Sequence, residues 1–561
     1  MSMLKKDSLI KGTLILAAAA LVARFLGLLQ KIPLDYMLGK EGNIAFGLAN
    51  QIYLVLLLVA TAGFPSAISK MVSERYALGK VEEARRIYHA ALVFGAVSGL
   101  ILATSLFAFA PFITSEIAQS PEAVFAVRAI APALILFPII AMMRGYFQGR
   151  RMMSAGGMSQ IVEQFVRVLL GLALGFLVLQ LGWGDDWAAA AITFGSVFGS
   201  IAAFGVMLHF ARKLKRMDTA DAGRMKAESS SPFMPIHSRT NGRSGGSKVK
   251  YSAIYREVFS MSLPAIVTSM AINVIYLFDL VFFNRLTDGY YLKDAATVVL
   301  EDLTLKAQSL AGIPPILAIA LGSSIVPIVA AAYKVKNMKE VERQASNVIR
   351  IVCFTGVPFA LLLSIASYSI TGLLFESPSG SDVVAALSAS TIVQITMMTS
   401  NSILYGMGKQ KISMTHTLIG LILKAIISIA LAPLMGVYGF VVASIICFVV
   451  VTMLNLRWLN KKEAKLTVLG KRWLPYIAAV AIAALAGWGA EVGVLSLTDG
   501  LHAKISYFLA AASVALVIGG LYLILLILLR VVRPEDVNAF PAALRKPFNI
   551  LMKLIYRQRA V

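Results

Sequence analysis

Gly79-Lys80-Val81-Glu82-Glu83-Ala84-Arg85-Arg86 follows one long apolar run, and Asn337-Met338-Lys339-Glu340-Val341-Glu342-Arg343 follows another. At a constant offset of 257 residues, Glu83 matches Glu340, Arg86 matches Arg343, Gly149 matches Gly406 and Arg167 matches Lys424. The run before each segment is interrupted by glycine and proline, at Gly63-Phe64-Pro65 and at Gly312-Ile313-Pro314-Pro315. Matches that share one offset and the same order of apolar runs imply an internal duplication.

Working outward from this pair, the whole chain reads as alternating apolar runs and short polar loops. Its 561 residues are 58% hydrophobic and 14% charged. A soluble domain carries about 25% charged residues because it must cover its surface. Since one spanning helix takes roughly 20 apolar residues, hydropathy predicts fourteen spans, at 12–35, 44–70, 87–113, 124–148, 157–181, 187–211, 257–284, 304–333, 348–375, 384–407, 413–433, 436–457, 473–495 and 505–530. The expected fold is an all-α polytopic membrane protein, with two six-helix lobes in parallel pseudo-repeat plus two C-terminal helices. The N-lobe takes 1–212, a linker 213–256, the C-lobe 257–457, the last two spans 458–530 and a cytoplasmic tail 531–561. Two lobes related by an axis along the membrane normal, with a cavity between them, are a transporter plan.

Charge orients the bundle. Lys plus Arg number 52 against 29 Asp plus Glu, a net charge of +23. The basic residues gather in even-numbered loops, such as Lys70 to Arg86, Arg144 to Arg151 and Lys334 to Arg350, whereas odd-numbered loops carry Glu116, Asp185, Asp186, Glu376 and Asp382. By the positive-inside rule both termini then face the cytoplasm, and nucleic-acid binding is not needed to explain the excess. The stretch Lys213 to Lys250 is rich in Ser, Gly, Lys and Arg, so it reads as a flexible basic linker able to lie against anionic lipid. Cys353 and Cys447 both lie in apolar runs, with no disulfide framework. The N-terminus reads as a retained first helix rather than a cleaved signal.

A charge at membrane depth costs roughly 3 kcal/mol or more unless it is buried in protein or lines a watery path. Arg24 lies mid-span in Val22-Ala23-Arg24-Phe25-Leu26-Gly27, where it either binds an anionic group or forms a structural ion pair. Gln30 and Lys31 continue that span outward, and Lys31 either faces the cavity or snorkels. In the fifth span Gln160, Gln164 and Arg167 share a helical face, and Glu163 is spaced to pair with Arg167. This stripe either lines the cavity or glues helices. Lys424 has no acid on its own helix and reads as ligand-facing, with His416 two turns earlier. Asp279 has three readings: a partner for Arg24, a cation site, or a group wetted near the outer surface. Asn273 lies on a similar face. Asn50, Gln51, Gln308, Gln394 and Asn401 add neutral hydrogen-bonding groups, for which helix glue worth about 1 kcal/mol each is the competing role. The net positive balance suits an anion, with phosphate and pyrophosphate the natural candidates.

No zinc-protease, P-loop, dinucleotide or nucleophile-elbow motif occurs. The expectation is a transporter rather than an enzyme, without a cofactor. Its energy would come from the membrane potential, a monovalent cation or the substrate's own gradient.

Arg24-Phe25-Leu26-Gly27 with Pro33-Leu34 and Leu38-Gly39, Gly63-Phe64-Pro65-Ser66-Ala67-Ile68-Ser69 with its Gly79-Lys80 turn, and Arg144-Gly145-Tyr146-Phe147-Gln148-Gly149 resemble segments of the polysaccharide-biosynthesis flippases. These belong to the multidrug/oligosaccharidyl-lipid/polysaccharide exporter superfamily. The resemblance covers essentially the whole chain and points to the MurJ-like lipid II flippases of the Bacillus YtgP type, near the stage V sporulation protein B group. It implies transfer of undecaprenyl-pyrophosphate-linked sugars from inner to outer leaflet by alternating access about a cationic cavity. It further implies a groove for the polyprenyl tail at spans thirteen and fourteen, and a functional role for Arg24. Gram-negative members carry a second arginine and an adjacent acid a turn or two later, where this chain has Gln30 and Lys31.

The expected function is therefore a lipid II flippase in the bacterial plasma membrane. Arg24, Lys424 and Arg167 would hold the pyrophosphate. Gln30, Lys31, Asn50, Gln51, Gln160, Glu163, Gln164, Asn273, Asp279, Gln308 and Gln394 would complete the substrate site. Cell-wall synthesis proteins and anionic phospholipid are the further expected partners. The competing expectations are a flippase for another polyprenyl-linked polysaccharide or sporulation-related precursor, a cation-coupled multidrug exporter, and a non-transporting cell-wall scaffold.

Overall fold

The computed structural model describes residues 9–61, 63–78, 80–150, 152–229, 251–462, 466 and 469–532, and the fold is helical throughout them. The N-terminal half comprises α1 (Leu9–Met37), α2 (Lys40–Thr61), α3 (Phe64–Ala77), α4 (Val81–Pro111), α5 (Val124–Ile130), α6 (Ala133–Gly149), α7 (Met153–Gln180) and α8 (Asp185–Ser229). The C-terminal half comprises α9 (Tyr251–Leu286), α10 (Lys293–Glu301), a π turn over Asp302–Ala307, α11 (Gln308–Ala311), α12 (Pro314–Lys334), α13 (Met338–Ile365), α14 (Ser367–Leu374), α15 (Ser381–Gly406), α16 (Gln410–Met435) and α17 (Val437–Lys462). Two further helices follow, α18 (Trp473–Leu497) and α19 (Ala503–Leu528).

Among the described residues, eleven helices are long and apolar enough to cross a membrane, or twelve if the bent α5–α6 pair is one span. The expected count was fourteen. The first and eighth expected spans fall on α1 and α12, several of whose side chains lie outside the described residues, so neither enters that count. The first part of the expected linker is helical. Helix α8 continues through Ser229, past the boundary at 212, because Ala, Met, Lys, Arg and Glu over that stretch are strong helix formers. Residues 230–250 and 533–561, the remainder of the linker and most of the tail, lie outside the described residues.

The duplication is visible in the packing. A Cβ on Gly149 would stand 2.7 Å from the Ser69 carbonyl oxygen and 3.0 Å from Val72, whereas one on Gly406 would stand 3.0 Å from the Val326 carbonyl oxygen and 2.8 Å from Val329. Ser69 and Val72 map onto Val326 and Val329 at the same 257-residue offset. Both halves thus use one glycine to bring the end of the fourth expected span of that half onto its second.

Helix α9 bridges the halves, packing on α2 and α3 on one side and on α16 on the other. At Gly63, φ is 78°, a left-handed conformation that glycine adopts at no steric cost. A Cβ there would lie 2.8 Å from the Ser262 carbonyl oxygen of α9. The break between α2 and α3 therefore lets both follow α9. One apolar core, including Leu34, Ile44, Ala126, Phe283, Leu300 and Phe440, spans both halves at the end bearing the acidic loops. A second, with Phe64, Ile68, Met142, Ile254 and Val258, joins α3, α6 and α9 toward the basic end.

Candidate functional site

The polar residues of the N-half that reach the seam come from α1, α2 and α7. Helix α1 packs along α7, and a Cβ on Gly27 would approach Gln164 Nε2 to 3.0 Å, so Gln164 faces α1. The Arg167 guanidinium donates to Asn50 Oδ1 at 2.5 Å and lies over the Tyr53 ring at 5.3 Å. The Lys31 ammonium reaches across the halves and donates to the Thr304 carbonyl oxygen at 3.0 Å, close enough to feel the Arg167 charge. Gln51 Nε2 donates to the Asn273 backbone oxygen of α9 at 3.0 Å. Lys31, Gln51 and Asn273 thus take part in contacts across the seam, and Asn50 and Arg167 bond each other within the N-half, Asn50 being the neighbour of Gln51 on α2. Among the described residues Lys31 and Arg167 each donate to a neutral acceptor rather than to a carboxylate, a weaker arrangement than a bond between two ionised groups.

Arg24 lies seven residues before Lys31 on α1, two turns or about 10 Å along the helix and on the same face. Its side chain lies outside the described residues.

The same seam is closed at the acidic end. Asn43 Nδ2 donates to Glu301 Oε1 at 2.9 Å, and the Glu376 N–H donates to Asp35 Oδ2 at 2.5 Å. Asn284 donates to the carbonyl oxygens of Ala118 and Gln119, each at 3.3 Å. At Gly47 on α2 the halves touch so closely that a Cβ would fall 1.8 Å from Thr304 Cγ2. None of Asp35, Asn43, Gly47, Glu301, Thr304 and Glu376 was among the expected site residues. Gly47, a small residue within an apolar run, was the one available signal, because such residues mark close helix approach.

Glu163 departs from expectation. Its partner is Arg144 Nη2 on α6, at 2.6 Å, and Arg144 also donates to Ser159 Oγ at 2.8 Å. The i,i+4 pair with Arg167 does not form, because Arg167 turns toward α2. Both members of the pair are mostly buried, with side chains 13% and 14% exposed. Removing one leaves a charge without a counterion. Arg144→Gln is therefore expected to destabilise the N-half by about 3 kcal/mol, with Arg144→Gln/Glu163→Gln recovering part of the loss. Thermal unfolding in detergent measures both.

Lys424 also differs from its predicted role. Its ammonium is held by Asp279 Oδ1 at 2.5 Å, Ser428 Oγ at 3.0 Å and the Phe440 carbonyl oxygen at 2.9 Å, and the residue is 1% exposed. An ammonium has three donors, so none remains for a ligand. Asp279 pairs with Lys424, since α9 packs against α16; the side chain of Arg24, the partner expected for it, lies outside the described residues. His416 bonds Asn455, which in turn reaches Ser400 and Asn401, a polar network inside the C-half.

Four expected glutamines remain partly unsatisfied. Gln30, Gln308 and Gln394 are buried, and each of Gln30 Nε2, Gln160 Oε1, Gln308 Nε2 and Gln394 Oε1 has no hydrogen-bond partner among the described residues. Gln30 lies against Gly171 of α7, within the N-half and away from the Lys31 contact with Thr304.

Residues 9–332 match the family model described as polysaccharide biosynthesis protein. The chain is 27% identical over 458 residues to the lipid II flippase MurJ of Bacillus subtilis (strain 168), covering 79% of this chain and 81% of that protein. It is 23% identical over 541 residues to stage V sporulation protein B of the same organism, covering 96% and 98%. A solved structure of the lipid II flippase MurJ in its inward closed conformation superposes with a TM-score of 0.63 over 92% of this chain and 99% of that one. At 12% sequence identity, that likeness concerns the fold.

Proposed function

The chain belongs to the polysaccharide biosynthesis protein family, and from that membership we propose that it is a flippase moving undecaprenyl-pyrophosphate-linked peptidoglycan precursor, lipid II, from the inner to the outer leaflet. The observation that carries this reading is the seam itself. Lys31 reaches from one related half to the other while Arg167 lies on the N-half side, each bonded to a neutral acceptor, beside contacts that close the acidic end.

The headgroup enters from the basic, cytoplasmic end while its polyprenyl chain stays in lipid alongside α18 and α19. Both termini face the cytoplasm, with the tail following α19. A pyrophosphate offers Lys31 and Arg167 charged oxygens, which attract an ammonium and a guanidinium more strongly than the neutral Thr304 carbonyl and Asn50 amide oxygens do. Arg24, on the same face of α1, supplies a further cation on the path inward. When the pyrophosphate draws Lys31 from Thr304, one of the bonds holding the acidic end is released. Binding of substrate is thereby coupled to outward opening, as differential affinity for two states requires. No bond is made or broken in the substrate, and the membrane potential supplies the direction.

A flippase for another polyprenyl-linked glycan is the second reading, favoured by the sporulation relative's alignment over 96% of this chain. Both readings are tested by expressing the protein in a bacterium whose own lipid II flippase can be shut off. Growth with normal cell shape after shut-off supports the lipid II reading. Lysis despite membrane insertion contradicts it and leaves the second.

A further inference from the structure

The Lys424 ammonium sits where three oxygens from different parts of the C-half converge on one point. Asp279 Oδ1 comes from α9, Ser428 Oγ from α16 and the Phe440 carbonyl oxygen from α17, at 2.5, 3.0 and 2.9 Å. Carboxylate, hydroxyl and carbonyl oxygens are the donor set of a hard cation rather than of a soft metal. The faces of Phe278 and Phe440, with centroids 5.8 and 5.2 Å from the nitrogen, favour a cation further. Both ion-pair partners are almost wholly enclosed, Lys424 at 1% and Asp279 at 3% exposure. A buried ion pair is often no more stabilising than apolar residues of the same volume, so packing alone does not call for this arrangement.

We infer that these oxygens form a monovalent-cation site filled by a cation the chain itself carries. Lys424 neutralises Asp279 and holds α9, the helix that bridges the halves, to α16 and α17. The C-half therefore needs no sodium or potassium ion to adopt this packing, and this site cannot couple transport to a gradient of either. The inference stands on the geometry of the C-half alone, so it survives or fails independently of the lipid II reading.

Thermal unfolding of the purified full-length protein in detergent tests it, with NaCl, KCl and choline chloride compared at equal ionic strength. Wild type is expected to unfold at the same temperature in all three. Lys424→Ala empties the oxygen site, and its unfolding temperature is expected to rise by about 2 °C for each tenfold increase in NaCl or KCl over choline chloride. Lys424→Ala/Asp279→Asn should lose that dependence. Selective stabilisation of wild type by sodium or potassium overturns the inference, as does a folded Lys424→Ala that responds alike to all three salts. If the alanine variant does not fold, Lys424→Met/Asp279→Asn reports on the site. It is expected to fold and to be indifferent to the cation, and a requirement for sodium or potassium in it overturns the inference.

Discussion

Gly47→Ala is expected to cut transport by about fivefold to hundredfold, and Thr304→Ser in the same chain to restore much of it. The added Cβ would fall 1.8 Å from Thr304 Cγ2 and 3.1 Å from its Cβ. Thr304 cannot simply rotate away, because its hydroxyl is bonded to the Leu300 carbonyl at 2.5 Å. It also sits in the π turn, and its own carbonyl oxygen accepts from Lys31. Relief must come from separating the halves at the acidic end. Overpacking of this kind costs about 1–3 kcal/mol, enough to shift a two-state equilibrium by roughly fivefold to hundredfold. Serine removes the clashing methyl and keeps the hydroxyl. Gly205→Ala provides the control, since nothing lies within 4 Å of a Cβ there. Transport rates and accessibility of a cysteine placed at the acidic end measure the effect. Full activity of Gly47→Ala would mean that closure of this seam is not part of the cycle.

Charge removal at the seam is expected to be as damaging. Lys31→Gln and Arg167→Gln each take away one charge-assisted bond to the pyrophosphate, worth about 1.5–3 kcal/mol. That corresponds to roughly a tenfold to hundredfold loss in the transport rate at low substrate concentration. Lys31→Gln also loses the bond to Thr304, so it should loosen the acidic-end closure as well as weaken binding. Arg167→Gln should weaken binding while leaving that closure intact. Measuring substrate dependence together with cysteine accessibility separates the two. Equal loss of closure in both variants would contradict the division of labour between them.

The membrane fold was legible because its signal is one-dimensional. Apolar runs of the right length, basic and acidic loops in alternation, and a fixed 257-residue repeat all survive in a linear reading. The repeat even located the glycine approaches at Gly149 and Gly406. The site was only half legible, because hydropathy does not fix the rotation of a helix whose protein-facing and lipid-facing sides are both apolar. A local rule paired Glu163 with Arg167, whereas the real partners come from other helices: Arg144 for Glu163 and Asn50 for Arg167. Lys424 looked unpartnered because its acid lies 145 residues away on α9. The acidic-end closure was missed for another reason. Asn43, Glu301 and Asp35 sit at helix ends, where a polar residue looks solvated until the fold brings the opposite half against it. Helix-forming residues carry α8 past residue 212 into the stretch expected as a linker, since polarity alone does not end a helix.

The most direct test of the account is headgroup translocation of fluorescent lipid II in proteoliposomes under an imposed membrane potential, comparing wild type with Lys31→Gln/Arg167→Gln at matched insertion. The account predicts movement across the bilayer by wild type and its loss in the double variant. Movement by the double variant at the wild-type rate would contradict the cationic seam, and an inactive wild type would contradict lipid II as the substrate.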